Sequence, residues 1–469
     1  MTSIDAFIDL MKKGEQLSLK VSSGDEVAEV LLLDSSYRLL SKTSGKEVQF
    51  EVEPGVYIVR VRAGSNTKSK TVVVSGNTSV SFDPIAFSTP IPLDNTSKTH
   101  ESHVASAVNH SSRVSKALGV GSQLYVFSRV WTGKEESATS TLLQRDLCTG
   151  LSLRNTQGVL LADFGSPDLG NFTQGFDPWS ATNLELDSGC YLLCLETASG
   201  QSMRQTVVTC QGWQTQIFLL QKDYGNSSAQ DIRVDLENGS IYMSRIQSGF
   251  LPGSVSNPDA ADARLTELAR QGLTNNRNVI RDEFIRKMAN SKFENPMFGL
   301  YSANLLLSQK SYDNTLLSTI VTNLRNILPT HPDVEALALK LGMGSSHVFD
   351  TPPMLRHSWN YVLEAALTNE NVVPENSLAA SIAGRYWSSP LWLLWTDAGS
   401  QHDDDEFLLQ QLSQLASQQD VEFGNSRSFE MNIAPKNASL SNFITADYLK
   451  QAATTLGIPR VKVESLLKK

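Results

Sequence analysis

Phe50-Glu51-Val52-Glu53-Pro54-Gly55-Val56-Tyr57-Ile58-Val59-Arg60-Val61 returns in altered form as Leu184-Glu185-Leu186-Asp187-Ser188-Gly189-Cys190-Tyr191-Leu192-Leu193-Cys194-Leu195. Glu, Gly and Tyr are identical at matching places, and apolar residues match apolar residues. The likeness continues downstream, where Thr71-Val72-Val73-Val74 corresponds to Thr206-Val207-Val208-Thr209. The copies lie about 135 residues apart, far longer than a solenoid period, so the pattern is a duplicated domain. Apolar residues alternating with polar ones predict β-strands in each copy. The first half of the chain therefore reads as two similar β modules.

Working outward from the first copy, Leu17, Leu19 and Val21 alternate with polar residues, and residues 27–33 form a more continuous apolar run. Val48, Phe50 and Val52 alternate, Pro54-Gly55 turns the chain, and Val56, Ile58, Val59 and Val61 form a return strand. Residues 72–74 and 80–82 close the set. Six or seven short strands with tight turns predict a small antiparallel β-sandwich. Gly55 and Gly189 are expected to supply a positive φ at a hairpin corner. Tyr57 and Tyr191 are expected to point inward with their hydroxyls at the wet rim. This signature resembles the PEGA-type and carboxypeptidase-regulatory-like β-sandwich modules, which carry a PGxYxVxV hairpin. Residues 54–61 fit it, and the second copy lacks the Pro. The resemblance implies binding or spacer elements.

Beyond the copies, the chain divides as follows. Residues 1–13 carry Ile4, Phe7, Ile8, Leu10 and Met11 at helical spacing and predict an N-terminal helix. The first β module spans 14–84. Residues 85–121, rich in Pro, Ser and Thr, read as a linker. The second β module, with an insertion at 155–180, spans 122–250. From 258 to 420 the apolar period changes from two to about 3.6 and predicts an α-helical domain. Its stripes include 279–288, Met297 to Leu307 in sequence, and Leu316, Leu317, Ile320, Val321, Leu324 and Ile327, halted by Pro329. Pro332 suits a helix start, and further helices are expected at 353–367, 377–387 and 406–416. A polar connector follows at 421–440, then a helical tail at 441–469. The fold class is multidomain, β then α: two antiparallel β-sandwich modules followed by an α-helical bundle or stack.

Composition limits the function classes. With 469 residues, 40% hydrophobic and 19% charged, the chain is a folded protein of about three domains. A formal net charge of -9, spread along the chain, argues against a nucleic-acid partner. Arg460, Lys462, Lys468 and Lys469 read as a solvated helix face. No run approaches the roughly 20 apolar residues of a membrane span, and no secretion leader is read, so a cytoplasmic location is expected. Cys148, Cys190, Cys194 and Cys210 then read as reduced core thiols.

Chemical motifs are sparse. Gly342-Met343-Gly344-Ser345-Ser346-His347 brings Ser and His together, but Gly342 equally suits a helix C-cap, and a triad is defined by geometry. His100, Glu101, His103 and His110 fall in the linker, a poor scaffold for a metal. His402-Asp403-Asp404-Asp405-Glu406 reads as an acidic first helical turn. No catalytic, cofactor-binding or metal residue is assigned, and no cofactor is expected. Trp359, Trp387, Trp392 and Trp395, placed near helix ends, are core anchors or partner-binding candidates.

Residues 293–307, 324–328 and 331–339 resemble an uncharacterised bacterial family associated with caspase-like or subtilisin-like proteases and conflict systems. The resemblance covers about residues 258–398 and implies a context, not a catalytic residue. The expected function is a non-catalytic scaffold, adaptor or protease substrate in antiviral defence, with a caspase-like or other protease as partner. The alternative is a regulator that binds carbohydrate or peptide on its β modules, for which Trp179 is a candidate.

Overall fold

The computed structural model describes residues 16–24, 28–63, 66–83, 85, 89–93, 100–130, 147–169, 171–173, 178–225, 231–250, 260–275, 295–309, 311–382, 385–387, 391–396, 405–415 and 446–468. Strands fill the N-terminal half of these residues, and most helices follow. The expected helix at 1–13, the stripe at 279–288 and the connector at 421–440 lie outside the described residues.

The first unit contains β1 (Leu17–Ser22), β2 (Glu29–Asp34), β3 (Leu39–Ser44), β4 (Glu47–Val52), β5 (Gly55–Ala63), β6 (Asn66–Val74) and β7 (Thr78–Ser81). They pair as two sheets, β4-β1-β7 and β3-β2-β5-β6. Alternation sets the faces. Leu19, Val21, Phe50 and Val52 of one sheet share a core cluster with Val30, Leu32, Val59, Val61, Val72 and Val74 of the other.

The second unit repeats this plan. Its strands are β8 (Lys116–Ala117), β9 (Ser122–Arg129), β10 (Leu151–Arg154), β11 (Leu160–Asp163), β12 (Asn171–Thr173), β13 (Trp179–Leu186), β14 (Gly189–Glu196), β15 (Ser202–Thr209), β16 (Trp213–Asp223), β17 (Ile232–Val234) and β18 (Ser240–Arg245). The order β13-β9-β16 matches β4-β1-β7, and β11-β10-β14-β15 matches β3-β2-β5-β6. β1 runs parallel to β7, as β9 does to β16. Tyr57 sits opposite Val72, and Tyr191 opposite Val207. A register shift falls beside Leu33 in one unit and beside Arg154, its counterpart, in the other. The duplication therefore extends over seven strands.

The signature corner differs from the expected hairpin. β4 and β5 belong to different sheets, as do β13 and β14, so the chain crosses between sheets there. Neither Gly55 nor Gly189 has a left-handed φ. The corner is held by the tyrosine instead. Tyr57 Oη donates to Glu53 O at 2.8 Å, and Tyr191 Oη donates to Asp187 O at 2.9 Å. A Cβ on Gly55 would meet the Tyr57 ring at 3.4 Å, whereas on Gly189 it would meet nothing within 4 Å.

The turn after β2 is also duplicated. Asp34 Oδ1 accepts from Ser36 N and Arg38 N, and Asn155 Oδ1 accepts from Gln157 N and Val159 N. The next-to-last residue of the turn has φ +83° at Gly158 and +63° at Tyr37. Glycine adopts that conformation freely, while an L side chain there costs about 1–2 kcal/mol.

The described part of 85–121 is packed rather than a linker. Ile85, Ile91, Leu93 and Ala107 are buried in the first unit's cluster. Residues His100–Ser111 form helix α1, and β8 pairs with β13. Its apolar residues are few, and polar groups hold the segment as well. Ser111 O accepts from Asn183 Nδ2 and Gln214 Nε2, and buried Arg129 donates to Thr89 O and Pro90 O.

The helices are α2 (Ala260–Thr274), α3 (Pro296–Leu307), α4 (Asn314–Ile327), α5 (Pro332–Lys340), α6 (Arg356–Ala366), α7 (Leu378–Ser381), α8 (405–415), α9 (Ala446–Leu456) and α10 (Arg460–Lys468). The boundary expected at 258 does not separate cores. Leu265, Leu300, Ile320 and Leu337 share one cluster with Leu124, Leu193 and Ile217 of the second unit. The helix expected at 377–387 is instead short α7 followed by β19 (Tyr386–Trp387), which pairs with β20 (Leu394–Thr396), itself added to β15. The tail packs against α8. Tyr448, Leu449, Ala452 and Leu466 form a cluster with Leu408 and Leu412 of α8. Two of the basic residues there are engaged rather than solvated: Lys462 pairs with Asp405 at 2.8 Å and Arg460 with Glu370 at 3.1 Å.

Tyr57→Phe and Tyr191→Phe should each destabilise the chain by about 1 kcal/mol, the net worth of one hydrogen bond. Tyr37→Gly should have the opposite sign and stabilise by about 0.5–1 kcal/mol, after the glycine's own entropy is counted. Urea unfolding of the three variants checks both signs.

Candidate functional site

The Ser–His loop of the sequence follows α5 and shares a cleft with the turn that leads from α4 into α5. Pro329 and Pro332 constrain the chain on either side of Thr330 and His331. Thr330 absorbs the turn with φ +65°, unusual for a β-branched residue. His331 caps α5, its Nδ1 accepting from Asp333 N at 3.2 Å. An accepting Nδ1 means a neutral imidazole, and burial pushes this histidine down to about 3. The 3.8 Å separation of His331 Nδ1 and Asp333 Oδ2 is therefore not an ion pair. Asp333 is fully buried, and its carboxylate accepts from Met354 N and Leu355 N at 3.0 and 2.9 Å. Burial pushes it up to about 6 despite those bonds.

At the other end of α5, Gly342 takes φ +64°. Gly342 N donates to Leu339 O and Met343 N to Ala338 O, a Schellman motif that ends the helix. The loop beyond lines an open cleft of about 460 Å³ with Arg325, Thr330, Glu335 and His347. Arg325 grips Glu335 with Nε to Oε1 at 2.9 Å and Nη2 to Oε2 at 2.6 Å, and also donates to Gly344 O. Ser345 Oγ donates to Glu335 Oε2 at 2.6 Å, not to His347. The His347 ring stands edge-on to Phe349 at 4.6 Å, and burial lowers its pKa. These polar groups satisfy one another and tie the loop to α4 and α5.

The tryptophans divide by position. Trp359 lies on α6 and is buried with Val362, Ala366 and Trp395. Trp392 is buried beside β20, and its Nε1 donates to Gly239 O at 2.9 Å. Trp395 lies on β20 and Trp387 on β19, so these belong to strands rather than helix ends. The three with described side chains, Trp359, Trp392 and Trp395, are core residues closed to a partner. Trp179 is half-buried, its ring 6.0 Å from Phe127 and 4.9 Å from His110. His103 is buried on α1, and no metal-holding group of three His, Cys, Asp or Glu is found among the described residues. The four cysteines are free, with burial pushing Cys190 and Cys210 up to about 12. No described helix is long and apolar enough to cross a membrane.

The first unit carries a surface that the motif search missed. Leu31, Leu33 and Ile58 form a small cluster on the outer face of β3-β2-β5-β6, away from the core. Leu39 pairs with Leu33, and Val56 with Val73, on the same face. Leu39, Val56 and Val73 are 51%, 42% and 59% exposed, and Tyr37 at the adjoining turn is 67% exposed. The signal was present in the sequence as the continuous apolar run at 30–33, which leaves a strand apolar on both faces.

No family model matches the chain, and no curated protein or solved structure is similar to it.

Asp333 and His331 should oppose each other in acid. The stability conferred by the raised Asp333 is full below the ordinary carboxyl value of 3.8 and lost as pH rises through about 6. That conferred by the depressed His331 is full above 6.5 and lost as pH falls toward about 3. Relative to Asp333→Asn, the wild type should therefore lose stability between pH 4 and 6. Urea midpoints at intervals across that range measure the difference, and parallel curves would contradict the assignment.

Proposed function

We propose that this chain is a non-catalytic scaffold or adaptor acting through protein–protein contact. The two strand units are read as β-sandwich modules that space and bind, and the helices as a bundle or stack. The observation that carries the reading is the apolar outer face of the first unit, which has exposed Leu39, Val56 and Val73 and no cover among the described residues. The cleft at 325–348 supports it indirectly, since its Ser345 hydroxyl and Glu335 carboxylate are already engaged with each other. The resemblance of the helical half makes a caspase-like or other protease the partner of first choice, in a bacterial conflict or antiviral setting. A cytoplasmic location goes with that setting.

Cleavage within 421–440 is part of the proposal. The tail is held by the Tyr448 hydroxyl donating to Leu412 O, by Lys462–Asp405 and by Arg460–Glu370. A cut chain keeps its C-terminal piece until something displaces it. The second reading, binding of a carbohydrate or peptide, rests on a cleft of about 580 Å³ beside the first corner, lined by Arg38, Gln49, Glu51, Glu53 and Tyr57.

Tagged full-length protein, recovered from its native host, should carry a stoichiometric protein partner identifiable by mass spectrometry. A fragment with a new end between 421 and 440 should co-elute with the rest of the chain on gel filtration and separate only in denaturant. Recovery of an intact chain with no protein partner would favour the ligand-binding reading.

A further inference from the structure

The duplicated units differ in what covers equivalent faces. Tyr57 and Tyr191 are counterparts, so Ile58 matches Leu192 and Arg60 matches Cys194. In the second unit Leu192 and Cys194 share a cluster with Trp359, Val362 and Ala366 of α6. Those three residues fall on one stripe of an amphipathic helix. In the first unit the matching face holds Leu31, Leu33 and Ile58, with Leu39, Val56 and Val73 exposed around them.

We infer that this face of the first unit docks an amphipathic helix of a protein partner, with Asp and Glu flanking its apolar stripe. The inference rests on the adaptor reading. On the duplicate face the chain's own helices supply the apolar partners, Ala336 from α5 and Trp359, Val362 and Ala366 from α6. The charge of the flanks follows from the face itself, where Lys42, Arg60 and Arg62 stand against Glu29. This is a locally basic surface on a chain of net charge -9, so it selects acidic flanks. Tyr37 strengthens the assignment. The duplicate turn makes the same hydrogen bonds with glycine, so the tyrosine is not needed for the turn. An exposed aromatic kept in a strained conformation fits a contact residue at the edge of the dock.

The test uses the full-length chain and two synthetic helical peptides. Both carry the same Leu and Trp stripe at i, i+3, i+4 and i+7, one with Glu flanks and one with Lys flanks. Fluorescence anisotropy should show the Glu peptide binding at least about tenfold more tightly, with the difference shrinking in high salt. Val73→Glu and Tyr37→Gly should each weaken it by about tenfold or more, although Tyr37→Gly raises stability. Val348→Glu, an exposed apolar site on the distant cleft, should leave binding unchanged. Equal binding of the two peptides, or no loss with Val73→Glu, would overturn the inference. So would a concentration-dependent dimer that Val73→Glu abolishes, which would make the face a contact between copies. If a native partner is recovered equally by wild type and Val73→Glu, the adaptor reading stands and this dock does not. If the Glu peptide binds as expected but no native partner is recovered, the dock stands and the adaptor reading falls.

Discussion

A sheet that is apolar on both faces has to be covered twice, and the second unit is built around that constraint. All eight residues of β9 are buried. Leu124 and Val126 point into the core shared with the helices, while Tyr125 and Phe127 join the cluster of the first unit. β14 divides in the same way, with Leu193 and Leu195 on one side and Leu192 and Cys194 on the other. Helices, α1 and the first unit are therefore required covers rather than independent additions. The buried aromatics finish the joint with their polar ends. Trp213 Nε1 donates to Ile327 O, and Tyr301 Oη donates to Ile241 O, so sheet and helices are linked by bonds that water cannot replace.

Much of this was legible. Strand alternation around Phe50 and Leu184 gave both units, because period two is a local property of the chain. The helices at Pro296–Leu307, Asn314–Ile327 and Pro332–Lys340 followed from apolar spacing, with Pro332 marking a start. Gly342 as a helix end was likewise a local matter. What failed was long-range. Nothing near Leu394 says that it will pair with Gln205. Nothing in the polar composition of 100–111 says that its terminal carbonyl will meet two buried amides.

The candidate surface was missed for a different reason. A site announces itself in sequence through reactive side chains, and this face has none. Its evidence lies in differences between the copies: tyrosine where the other has glycine, and exposed valines where the other unit has helices. An aligned turn, Asp34-Ser35-Ser36-Tyr37 beside Asn155-Thr156-Gln157-Gly158, contained the clue but lay outside the matched segment. The Ser345–His347 proximity, by contrast, was an accident of sequence, since Ser345 turns to Glu335.

The pairing of β20 with β15 also orders events during synthesis. The first unit's two sheets draw every strand from Leu17 to Ser81, so they need nothing synthesised after that point to pair. The second unit's edge waits until Leu394–Thr396 has emerged, nearly two hundred residues after the strand it joins. Until then β15 presents bare backbone to the nascent chain's surroundings. The copy that ends up most thoroughly enclosed is thus the one that spends longest exposed at birth.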